Sequence, residues 1–337
     1  MAGRGRAPIR LGQGLLRSAI ALSAAAVLSA AAPAGGRVAR PPPTPPEATR
    51  AGLELLQDLR GASGKLEVAL RRPGEPLIPI QLPGWTLRYE REPGVLSPER
   101  RAPRLPGVYR VAVEVGGSQK EVEKLRLITL VPFEAKKEGR IGTYRLGVWP
   151  FERGGAPSPA YANPAGFVEV TADNVGLAVS QHFALGDFLT KDQAGVWPKY
   201  LLLDPRLVDK LELLVEELAR EGYPVEGLSI MSGFRTPRYN GAGGETSGRA
   251  SLSRHMYGDA TDVFVDDDRD GWTDDVNRDG RVDIRDAEVV ARAAERVEAR
   301  HPALVGGVGI YPATGAHGPF THVDVRGQKA RWRGGGG

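Results

Sequence analysis

Ser253-Arg254-His255-Met256-Tyr257-Gly258-Asp259-Ala260-Thr261-Asp262-Val263 joins a loop histidine to a strand carboxylate. The apolar and β-branched residues from Ala260 to Val265 read as a short strand. His255 lies just before it and Asp262 lies on it. Gly258 lets the backbone turn between them, so both side chains can converge. A second stretch, His317-Gly318-Pro319-Phe320-Thr321-His322-Val323-Asp324-Val325-Arg326-Gly327, places His322 and Asp324 two apart on another strand, hence on one face. Two imidazoles and one carboxylate with an open fourth position suit a hydrolytic zinc site. The same spacings also occur where a strand histidine is an ordinary partly buried residue. Of the other histidines, His182 reads as a packing residue and His301, before Pro302, as a solvated helix end.

Outward from these stretches, residues 171–333 read as an α+β domain. Asp204-Pro205 combines a helix cap with Pro in the first turn. Leu207, Leu211, Leu214 and Leu218 follow at helical spacing, so the helix buries one apolar stripe. Gly222-Tyr223-Pro224 ends it. Leu228 to Met231, Val308 to Tyr311 and Phe320 to Val325 read as strands, and Ala287 to Ala299 as a second helix. Residues 63–133 change to period two: Leu66, Val68 and Leu70; Trp85, Leu87 and Tyr89; Tyr109, Val111, Val113 and Val115. Short runs broken by Pro and Gly suggest a small all-β, sandwich-like domain with no reactive constellation, a spacer or wall-targeting module. Residues 134–170 form a bridge rich in Gly, Pro and aromatics. Residues 35–62 are a Pro-rich linker and a short helix.

The chain has 337 residues, room for about two domains at roughly 100–200 residues each. It has no cysteine. That excludes a disulfide framework, a thiolate zinc site and a cysteine nucleophile. Residues 1–34 carry Arg4, Arg6, Arg10 and Arg17, then an Ala-rich apolar run and a small-x-small stretch at Ala32-Pro33-Ala34. This is the pattern of a cleaved secretory signal, so the expected location is periplasmic or secreted, without stable membrane insertion after cleavage. Removing those residues takes four Arg and no acid from a formal net charge of +4, leaving a neutral chain with no electrostatic case for nucleic acid.

Four blocks occur in order: Ser232-Gly233-Phe234-Arg235-Thr236-Pro237; Ser253-x-His255-x-x-Gly258-x-Ala260-x-Asp262; Gly306-Gly307-Val308-Gly309-Ile310-Tyr311-Pro312; and His322-Val323-Asp324-Val325-Arg326-Gly327 with Trp332. Together they resemble the zinc D-Ala-D-Ala carboxypeptidase family of murein peptidases, which includes murein endopeptidases and the vancomycin-resistance D-Ala-D-Ala dipeptidases. The resemblance covers about residues 171–333. It implies a hedgehog/D-Ala-D-Ala-peptidase-like α+β fold with an antiparallel sheet and flanking helices. It places the zinc ligands on His255, Asp262 and His322, and on Arg235 the stabilisation of substrate and oxyanion, a role a fixed guanidinium suits. Zinc would activate water and polarise the scissile carbonyl. Many members carry Glu, Asp or His three residues before the last ligand; here that position is Pro319. Asp324 and His317 are the two candidates for the base, and Asp324 could instead orient a ligand. Ser253 and Arg326 are candidate substrate-binding residues, each with an ordinary alternative, a turn and a salt bridge.

Residues 266–286 hold nine Asp. Charge runs are usually solvated loops, but Asp275, Asn277 and Asp279 fall at EF-hand positions 1, 3 and 5, with Gly280 at 6, the Arg281 carbonyl at 7, Asp283 at 9 and Asp286 at 12. Asp at position 12 departs from the usual Glu. A partial copy, Asp266, Asp268, Asp270 and Asp274, marks a second candidate. Calcium there is expected to be structural. The combined expectation is a zinc peptidase acting on the peptide part of peptidoglycan, as carboxypeptidase or endopeptidase. The alternatives are a non-catalytic peptidoglycan-binding module and a calcium-dependent adhesion or scaffold protein.

Overall fold

The row Ser232, Asp262, His322, Gly309 and Trp332 crosses one five-stranded sheet at a single level, and the rest of the fold supports that sheet. The computed structural model describes residue 57 and residues 59–77, 85–91, 95–98, 101–115, 118–223, 225–242 and 249–334. The expected signal and most of residues 35–62 lie outside the described residues, as do residues 243–248.

The first sheet comprises β1 (Val68–Arg71), β2 (Trp85–Arg91), β3 (Val95–Pro98), β4 (Gly107–Val115) and β5 (Ser118–Thr129), in the order β1-β5-β4-β2-β3. Alternation puts Leu87, Tyr89, Val111, Val113 and Leu127 into one core. A sandwich needs a second sheet over that face. Among the described residues Leu77 and Ala102, from the loops, join this core instead, and one sheet is formed. Val68 and Ile128 belong to the larger core that also holds the helices, so this sheet abuts the rest of the protein.

β6 (Val131–Pro132) precedes the bridge, which supplies β7 (Arg140–Ile141), β8 (Tyr144–Arg145) and β9 (Gly166–Val170). With β10 (Lys199–Leu201), β6 and β9 form a three-stranded antiparallel sheet. Trp149 is buried, and its indole N–H donates to the Met256 carbonyl at 2.8 Å. The bridge therefore braces the histidine-bearing turn.

The site sheet comprises β11 (Ser229–Ser232), β12 (Ala260–Phe264), β13 (Gly307–Tyr311), β14 (Phe320–Asp324) and β15 (Ala330–Arg333), in the order β11-β12-β14-β13-β15. All pairs are antiparallel except β13 with β15. Helix α1 (Pro205–Arg220) begins where Asp204 accepts from the Arg206 N–H. Its expected leucines are buried. A short helix α2 (Pro237–Ala242) follows β11. Helix α3 (Ile284–Arg300) starts three residues before the expected Ala287, because Asp283 and Asp286 form a capping box there. The Thr321 hydroxyl donates to the Ala287 carbonyl of α3. Thr321 thus faces the helix layer, and the alternating neighbour His322 faces the other side.

Candidate metal centre

His255 sits in a single 3-10 turn, Arg254–Tyr257, closed by Gly258 at φ 72°. A Cβ at Gly258 would lie 2.4 Å from the Leu202 carbonyl oxygen, so glycine is required twice over. Across the turn Arg254 forks onto Asp259, both buried. The Arg254 guanidinium also lies over the rings of Tyr161 and Tyr257. Sequence reasoning missed this brace. Its signal was an opposite-charge pair flanking a glycine turn.

Asp262 and His322 are direct cross-strand partners in β12 and β14. His255 Nε2 lies 3.2 Å from His322 Nδ1 and 3.3 Å from Asp262 Oδ1. His322 Nδ1 lies 2.9 Å from Asp262 Oδ1. Tetrahedral zinc ligands at about 2.0–2.1 Å stand roughly 3.3–3.4 Å apart, so this triangle is the right size. The remaining ring nitrogens are committed elsewhere. His255 Nδ1 donates to the Gly233 carbonyl at 2.7 Å, and His322 Nε2 donates to Asp324 Oδ2 at 3.2 Å. In the neutral rings the converging nitrogens therefore present lone pairs, beside a carboxylate oxygen. Three inward acceptors repel unless a cation sits between them, and the donor set suits zinc.

The electrostatics agree with this arrangement. Burial holds His255 below the ordinary histidine value. Burial would raise Asp262, but the two imidazoles outweigh it and hold its carboxyl well below the usual range. Burial also opposes the charged form of His322, yet hydrogen bonds to Asp262 and Asp324 raise it. Arg235 donates from Nη2 to Asp262 Oδ2 at 2.5 Å and from Nε to Ser232 Oγ at 2.8 Å, and burial lowers it. It therefore holds the ligand carboxylate at the wall of a cleft of about 770 Å³.

Two expected roles need correction. Asp324, a candidate base, lies behind His322 on the side away from Asp262, and is fully buried. Its oxygens also accept from the Gly307 N–H and from Arg326. Burial would raise it, but the contacts with His322, Arg326 and the Gly307 N–H outweigh this and hold it well below the usual carboxylate range. It orients the His322 ring and is not among the residues that line the cleft. Arg326, a candidate for the substrate, donates Nε and Nη2 to Asp324. Strand alternation put Asp324 on the same face as His322, but only the pairing of β14 with β13 shows which ring nitrogen it meets.

His317 lines the cleft together with Ser253, His255, Asp262 and His322. Its Nδ1 donates to the Gly318 carbonyl at 2.8 Å, which leaves Nε2 as an acceptor. Its ring meets Phe320 edge-on at 5.0 Å. Trp332 packs 5.0 Å from the His322 ring and donates to the Tyr311 hydroxyl at 2.8 Å. His182 is not among the residues lining this cleft and pairs with Glu212 at 2.7 Å.

In the Asp-rich insertion the two expected loops share one local geometry. The N–H of Gly271 points at Asp266 and that of Gly280 at Asp275, and Arg269 and Arg278 both have positive φ. Oxygens of Asp266, Asp268 and Asp270 lie within 4.8 Å of one another. Asp275, Asp279, Asp283 and Asp286 do not make such a group among the described residues. Arg285 pairs with Asp279 and Asp283, while Asp286 accepts from the Asn277 and Asp283 N–H groups. Asp274 accepts from the Asp267 N–H at 2.6 Å, and Arg281 donates its N–H to Asp279. No family model, curated protein or solved structure matches the chain.

Proposed function

We propose that this chain is an exported, zinc-dependent peptidase that hydrolyses a peptide bond next to a D-amino acid in peptidoglycan, of the zinc D-Ala-D-Ala carboxypeptidase kind. The observation that carries the reading is the triangle of His255 Nε2, Asp262 Oδ1 and His322 Nδ1, with each ring's second nitrogen held from behind. When bound, zinc supplies a Lewis acid and lowers the pKa of a water to near 7. The chain's own groups do the rest. The Gly233 carbonyl and Asp324 keep both rings in the ligating tautomer. Arg235 holds Asp262 and lends its guanidinium to the charge that grows on the carbonyl oxygen. His317 Nε2 takes a proton from the attacking water and returns it to the leaving amine. Calcium in the Asp-rich insertion belongs to the same proposal as a structural ion, supported by the clustered oxygens of Asp266, Asp268 and Asp270.

The test is digestion of defined muropeptides with zinc and calcium present, read by mass spectrometry beside the His255→Ala variant. Fragments from the wild type alone support the reading. A zinc-loaded wild type that sediments with peptidoglycan and releases nothing points to a binding module. Equal cleavage by His255→Ala would sink the metal reading.

A further inference from the structure

We infer that the metal cleft is one half of a longer groove, and that the protein cuts an extended cross-link between two peptide strands rather than trimming a chain end. The inference rests on the peptidase reading above. A second cavity of about 650 Å³ lies beside the cleft. The two share Lys191, Met231 and His317, so they adjoin at these residues.

The floor of this groove is a sheet edge. β11 is the outermost strand of the site sheet. Its Ser229, Ile230 and Met231 line the second cavity, and Met231 and Ser232 line the cleft. All four residues are half-buried. A four-residue edge at about 3.3 Å per residue offers roughly 13 Å of strand to an extended chain, beyond the cleft itself. An edge strand presents backbone groups that a bound peptide can pair with.

The walls suit a peptide that carries charge. One comes from the Asp-rich insertion, with Asp266 and Trp272; the other carries Asp187 and Lys191. Trp272 is 51% exposed although it lines a cavity, so it offers a rigid apolar surface that a bound chain would cover. Lys191 stands at the junction, where its ammonium serves a carboxylate on a chain passing between the two cavities. An enzyme for chain ends needs a closed end; here the lining continues past His317 into the second cavity.

The experiment compares two substrates in one assay: a monomeric stem peptide ending in D-Ala-D-Ala, and a cross-linked peptide dimer. Wild type should cut the dimer with kcat/KM at least about tenfold above the monomer. Trp272→Ala removes a wall and Ser229→Tyr fills the second cavity. Each should lower dimer cleavage by about tenfold, mainly through KM, and leave the monomer rate and the melting temperature unchanged. Equal cleavage of both substrates, or variants that slow both alike, overturns the groove and spares the peptidase reading. A zinc-loaded wild type that cuts neither overturns the peptidase reading, and the groove proposal with it.

Discussion

His322 Nε2 faces Asp324 Oδ2 at 3.2 Å, while Nδ1 of the same ring faces Asp262 Oδ1 at 2.9 Å. One imidazole thus links two carboxylates, one in the triangle with His255 and one anchoring the ring from behind. Asp324→Asn keeps an acceptor for the ring N–H but loses the charge that favours it. The variant should bind zinc about 10- to 100-fold more weakly while staying folded. Competition with a zinc-sensitive chelator reads the affinity. An unchanged affinity would remove Asp324 from the centre.

Zinc binding should weaken below a pH set by His322. His255 lies below the ordinary histidine value of 6.5 because it is buried, which favours its neutral form. His322 lies above 6.5, since its carboxylate partners outweigh burial. Protons therefore begin to compete above pH 6.5, and affinity should fall as the pH drops, by about tenfold per unit for one competing proton. In the metal-free protein the sign reverses. The raised His322 contributes stability that is fully present below 6.5 and is lost as the pH rises through the folded value. Melting with and without zinc across this range should give opposite slopes. Zinc affinity that stays flat between about pH 8 and 6 counts against the assignment.

His317 lines the cleft, and the bond from its Nδ1 to the Gly318 carbonyl leaves Nε2 as the acceptor. His317→Gln keeps a polar side chain but cannot move a proton. It should lower kcat by about 10²- to 10⁴-fold, with zinc content and KM nearly unchanged. Normal turnover in this variant would pass the proton transfer to another group.

Gly309 pairs with His322 on one side and with Trp332 on the other, and a Cβ there would lie 2.3 Å from the indole. Gly309→Ala should therefore push Trp332 off the His322 ring and cost about 1–3 kcal/mol of stability. Denaturant unfolding measures the cost, and tryptophan emission reports the displacement. A variant as stable as wild type, with unchanged emission, would show that the ring has room to move.

The glycines explain why one block was legible and another was not. Gly306-Gly307-Val308-Gly309 stood out as a motif, but its physical meaning is a bed for the Asp324 carboxylate and the Trp332 ring. Those residues lie on other strands, so no spacing within the motif reveals them. Where a sandwich was expected over residues 63–133, the described residues form one sheet, for a similar reason. Alternation marks a buried strand face, and loop residues such as Leu77 can bury it as well as a second sheet can.

By itself, the sequence determined the α+β class, the capped helix at Asp204-Pro205 and four of the five strands of the site sheet, which follow from local propensity and period acting over a few residues. The grouping of His255, Asp262 and His322 was expected from the resemblance of four ordered blocks to a known family. Only the tertiary structure decided which nitrogen of each ring faces inward, that Asp324 stands behind His322, that Arg326 is already paired, and that the cleft runs on along β11. Each of these depends on cross-strand register and on neighbours far along the chain. Register is set by the packing of the whole sheet, and no short stretch of sequence carries it.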